Sequence, residues 1–191
     1  MTRSERLAEQ LDWYWHKNLR PRLDGLTDEE YLWEPVRGCW SIRPRGTPAA
    51  PMSEGSGEWT MDSASPALVP APVTTIAWRL AHIIVSCLGY RVGWYFGGQD
   101  VDSETFAYAG TADEALKQLD EMYGRWNAGV RELSDTDLDN PPMVGPERCP
   151  MENRVLHVNR ELIHSRGCVL GSGVRVRPDP GVCSRVGVTP A

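Results

Sequence analysis

Four stretches of this chain repeat apolar residues at intervals of three and four, and that period restricts them to helices that must cover one another's apolar faces. The clearest lies at 74–96, where Ile76, Leu80, Ile83/Ile84 and Leu88 share a face and Gly97-Gly98 supplies the stop. Residues 4–23 place Leu7, Leu11, Tyr14/Trp15 and Leu19 at helical spacing and end near Pro21 and Gly25. Thr111-Ala-Asp-Glu114 reads as a capping box that opens a third helix through Leu116, Leu119, Met122/Tyr123, Trp126 and Val130. A polar, proline-containing loop at 134–150 separates it from a fourth helix opened by Met151. A short turn of helix, capped by Thr27 and Glu30, runs to Trp33 and is stopped by Pro35. Four long helices in 191 residues predict one all-α domain, a four-helix bundle, an architecture that builds ligand and metal sites from facing helices.

Residues 35–72 depart from this pattern. They are rich in Pro, Gly and Ser and hold no sustained period, so a long excursion between helices 1 and 2 is expected, with one short strand pair around 58–61. An insertion of this length is well placed to cover a site. Eight tryptophans, Trp13, Trp15, Trp78, Trp94 and Trp126 among them inside helical segments, are read as bulky core packing.

The formal charge of −6 lacks the electropositive footprint of a protein that neutralises phosphates, so nucleic acid is excluded as a partner. No apolar run is long enough to cross a bilayer and the N-terminus has no signal-peptide core, so a soluble cytoplasmic protein without a membrane partner is expected. Cys39, Cys87, Cys149, Cys168 and Cys183 are odd in number and contain no Cys-x-x-Cys pair, which argues for free thiols.

Metal-ligating chemistry concentrates in the fourth helix. His157, Glu161 and His164 lie at i, i+4 and i+7 and share one stripe. One helix rarely supplies a whole coordination shell, and His82, set in an apolar helix where an idle imidazole is costly to bury, is the natural ligand from a second helix. Cys87 is five residues further on, a rotation of about 140° on an α-helix, so it reads as a small core residue. Asp12 and His16, four apart on helix 1, read as a local polar pair on a solvated face.

Beyond residue 165 the composition changes. Residues 166–191 hold five Gly, six Val, four Arg and three Pro, and helix propensity falls away. The domain is therefore expected to end at 165, followed by an irregular tail. Two origins fit such a tail: a shifted reading frame in GC-rich DNA, or a genuine flexible extension.

The motif Trp78-Arg-Leu-Ala-His82-Ile83 paired with His157-Val-Asn-Arg-Glu161-Leu-Ile-His164 resembles the DinB-like superfamily, in particular its actinobacterial branch, over about residues 5–165. Segments 18–35 and 38–46 strengthen the resemblance. It implies an up-down-down-up bundle, and in many members a divalent metal, zinc or nickel, held by one His of helix 2 and a pair four residues apart on helix 4. His82 and Glu161 match that pattern, whereas the third position carries Ser165 where related sequences carry His. The expected metal set is thus His82, Glu161 and the adjacent His164, with His157 as a further candidate, and the departure at 165 weights the tail toward a frameshift. The superfamily includes thiol-dependent enzymes similar to mycothiol-dependent maleylpyruvate isomerase and bacillithiol transferases. By that resemblance the chain transfers a metal-activated low-molecular-weight thiol to a small electrophilic substrate; the alternatives are a non-catalytic, stress-associated or small-molecule-binding bundle and an inactive, truncated member. A fourth helix cut at 165 would leave apolar surface uncovered and favour a homodimer.

Overall fold

The computed structural model describes residues 1–98, 101–145 and 148–171, with side chains as far as His164 in the last helix. Thr2 caps α1 (Arg3–Tyr14): its hydroxyl accepts from the Glu5 amide while the Glu5 carboxylate accepts from the Thr2 amide. The helix then widens into a π segment, Trp15–Leu19, closed by the Arg20 amide on the Trp15 carbonyl, and tightens into a 3-10 turn at Arg20–Leu23. A second reciprocal cap, Thr27 with Glu30, opens the short α2 (Asp28–Tyr31).

The excursion is more ordered than its composition predicts. It forms a three-stranded antiparallel sheet, β1 (Ile42–Pro44), β2 (Met52–Glu54) and β3 (Trp59–Ser63), in the order β1-β3-β2, where the sequence promised one strand pair in an all-α chain. These strands run three to five residues, too short for a period of two to stand out. Tertiary bonds supply what local pattern lacks. The buried Asp62 carboxylate accepts from the Ser41 amide (3.0 Å), Arg43 Nε (2.8 Å) and the Ala49 amide (3.1 Å), tying all sides of the sheet to one side chain. The sheet is fixed in turn to the start of the next helix: Thr75 N–H donates to the Trp40 carbonyl (2.9 Å) and Trp78 Nε1 to the Asp62 carbonyl (2.8 Å).

That next helix has three parts: α3 (Ile76–His82), a π segment at Ile83–Gly89, and α4 (Tyr90–Phe96). Gly97, at φ +74°, ends it as expected, because a left-handed residue terminates a helix at least cost when it is glycine. Thr111 caps α5 (Ala112–Arg131) through a bond from the Glu114 amide. The loop expected at 134–150 contains a further short helix, α6 (Asp135–Asp139), with Ser134 and Asp137 as a reciprocal cap that the search for Glu or Gln at the third position overlooks.

α7 (Met151–Gly171) runs six residues past position 165, where the sequence placed the end of the helical pattern. Extending an existing helix adds one hydrogen bond per residue fixed, so a single Gly167 at a cost of about 1 kcal/mol does not stop it. The remainder of the expected tail, 172–191, lies outside the described residues.

The long helices meet in a ring of pairs: α1 on α5 and on α7, and the composite helix α3–α4 on α5 and on α7. Helices α1 and α7 run parallel, since Arg3 bonds Glu152, Asn159 Nδ2 donates to the Leu7 carbonyl (3.0 Å), and Tyr14 donates to the Ile163 carbonyl (3.2 Å). Helices α1 and α5 run antiparallel, as Ser4 bonds the Arg131 carbonyl and Arg20 bonds Asp120. Between them Leu80, Ile83, Leu88, Trp126, Val158 and Leu162 are fully buried. Trp15 and Trp126 join this core as expected, whereas Trp13 is 62 % exposed. Among the described residues no helix is long and apolar enough to cross a membrane.

Candidate functional site

The composite helix and α7 bring together most of the side chains that carry chemistry. His82 closes α3 and stacks flat on Trp78, its neighbour one turn back, at a centroid distance of 5.2 Å and an interplanar angle of 7°. Trp78 is in turn met by Trp40 from the excursion at 6.0 Å, so the inserted segment does reach the histidine's surroundings. Burial, and then the Arg79 guanidinium, hold the His82 imidazole below its ordinary range, while the Glu161 charge opposes them. His82 is neutral at pH 7, able to donate from one ring nitrogen and accept at the other.

Glu161 lies on α7, which packs against α3 and the π segment, and its carboxylate is partly exposed beside His157. Its charge opposes the lowering of His82 and adds to the raising of Cys87. Burial pushes the Cys87 thiol up to about 11, so it stays protonated. Cys87 is buried in the apolar core, as the small core residue the sequence predicts. It lies in the π segment, whose bonds span five residues, as the Tyr90 amide on the Val85 carbonyl shows. Such widened turns recur at functional sites, and no composition or period in 83–89 announces one.

Arg91 completes the cationic side, with Nη1 donating to the carbonyls of Ser86 (2.6 Å) and Cys87 (3.1 Å). Its charge and burial keep His157 below the usual histidine range, burial being the larger cause. His157 is otherwise engaged on its own helix, with Nδ1 2.9 Å from Arg160 Nη2 and 4.0 Å from Glu161 Oε1.

His164 is exposed, at the outer side of α7. Along the stripe expected of His157, Glu161 and His164, the first two are partly exposed and the last is exposed. A divalent ion in such a site needs at least three ligating side chains, and among the described residues no three of His, Cys, Asp or Glu form a group able to hold one. Of the expected set, His82 lies half-buried at the end of α3, Glu161 is partly exposed beside His157 on α7, and His164 is exposed on α7. Asp12 and His16, read as a local pair, do approach at 3.6 Å, but Asp12 also accepts from Tyr123 (2.6 Å) and Asn127 (3.0 Å) and so ties α1 to α5.

With this geometry in hand, the sequence matches the family model of the DinB superfamily over residues 10–169. The chain belongs to the DinB superfamily. The matched span begins inside α1, takes in the excursion, the composite helix and α5, and stops inside α7. No curated protein and no solved structure matches this DinB-superfamily chain significantly.

Proposed function

We propose that the four long helices form the up-down-down-up bundle of the superfamily, and that the chain binds a small molecule in the space bounded by His82, Trp78 and Glu161. The observation that carries this reading is His82 itself, half-buried and stacked flat on Trp78 at the end of α3, a helix that packs against α7, while His164 is exposed. His82 and Glu161 alone would fall one short of a coordination shell, but a neutral imidazole, a carboxylate and an aromatic wall suffice to orient an organic ligand. Thiol transfer on a bound zinc or nickel ion, the activity expected from the resemblance, would need a third ligand beyond His82 and Glu161.

Metal analysis of the purified full-length chain and of His82→Ala tests the choice. The binding reading expects well under one metal ion per chain and a folded His82→Ala variant. Stoichiometric zinc or nickel that disappears in His82→Ala would replace it with the metal-dependent transferase.

A further inference from the structure

Several arginines of this acidic chain are held by carboxylates: Arg3 by Asp139 and Glu152, Arg20 by Asp24 and Asp120, and Arg43 by Glu34 and Asp62. Others, such as Arg45 and Arg125, donate to backbone carbonyls. Among the described residues Arg79 has neither kind of partner. It is half-buried, and its Nε is shielded from solvent with no hydrogen-bond partner among the described residues. Its guanidinium carbon lies 5.5 Å from the centroid of the Trp78 ring, a contact that positions the group without neutralising it. A cation taken partly out of water without a counter-charge is costly, and a carboxylate that accepts two parallel N–H bonds from its planar fork would remove the cost.

The surroundings define the rest of the ligand. Arg79 lies three residues before His82 on α3, so the two share a face, and Trp78 and Trp40 line the approach with aromatic surface. Arg91 adds a second positive charge that also reaches His82.

We propose that the site takes a small carboxylate with an aromatic or apolar body, its carboxylate on Arg79 and its body against Trp78 and Trp40. This rests on the small-molecule reading of the same site and narrows its substrate class. A guanidinium fork favours a planar carboxylate, and the flat Trp78 and His82 rings favour a flat body beside it.

Titration of benzoate into chelator-treated full-length protein, followed calorimetrically, tests the proposal without any metal. Benzoate is expected to bind saturably, and its uncharged isostere benzamide at least ten-fold more weakly. Arg79→Gln and Arg79→Met, the latter retaining the stem against Trp78, are expected to weaken benzoate at least ten-fold, while Arg37→Gln, a change at an exposed arginine, leaves it unaltered. Two charge-removing variants are used so that a folding failure in one leaves the other to decide. Equal affinity for benzamide, unchanged benzoate affinity in a folded Arg79 variant, or saturable binding of inorganic phosphate alone would each overturn it. Because the titration is metal-free, its result is independent of the metal analysis: a metalloprotein that still binds benzoate through Arg79 sinks only the earlier reading.

Discussion

His82 and Cys87 lie five residues apart on one helix that widens from α to π between them, His82 half-buried against Trp78 and Cys87 buried in the apolar core. Burial pushes the Cys87 thiol up to about 11.

Cys87 is consequently expected to resist alkylation in the folded protein. Thiolate is the reactive form, and a group pushed up to about 11 has well under 1 % thiolate at pH 8. Timed iodoacetamide labelling read by mass spectrometry should modify the partly exposed Cys149 at least ten-fold faster than Cys87, and equal rates in folded protein would contradict the burial.

Asp62 holds the excursion as one unit, so Asp62→Ala should be among the most damaging single changes. It leaves Arg43, whose side chain is only 16 % exposed, without its buried partner and removes the acceptor for two backbone amides. A loss of about 3–5 kcal/mol is expected by urea unfolding. Less than about 1 kcal/mol would mean that the sheet contributes little to the fold.

Leu162 is fully buried on α7, one residue past Glu161. Leu162→Ala should cost about 2–5 kcal/mol by the same measurement, since a cavity opens where α7 meets the other helices. A near-neutral result would show that α7 is not held by its apolar face.

Arg3 and Glu152 clasp the starts of α1 and α7, and the hydrogen bond from Arg3 holds the Glu152 carboxyl below the usual carboxylate range. A carboxyl with a lowered folded value contributes stability that is fully present above its unfolded value and is lost as pH falls through the folded one. The urea midpoint of Glu152→Gln should therefore lie below that of the parent at pH 7, and the gap should close by pH 3. A gap that stays constant with pH would assign the effect to packing instead of charge.

The periodic stretches made the helices legible, and for a simple reason. The apolar residues of α1, the composite helix and α5 recur at the intervals that helix geometry demands, and the Thr111 cap and the Gly97 stop are local signals. Glu161 and His82 were legible as candidates because the DinB motifs carry them. The sheet was legible only as one strand pair around 58–61, and α6 not at all: three short strands and a five-residue helix are held by Asp62, Trp78 and Ser134, contacts that no window along the chain reports. Arg79 escaped notice for the same reason. An arginine is remarkable only when its surroundings lack a carboxylate, and those surroundings come from other elements.

The sequence by itself determined which long segments are helical, the Thr27 and Thr111 caps and the family, because these depend on residues within a turn or two of one another. Tertiary structure alone decided which candidate residues are buried. The π segment lies where the composite helix packs against α5 and α7, and His164 falls on a side of α7 left open to solvent while His82 is half-buried against Trp78, because exposure depends on elements far apart in the chain.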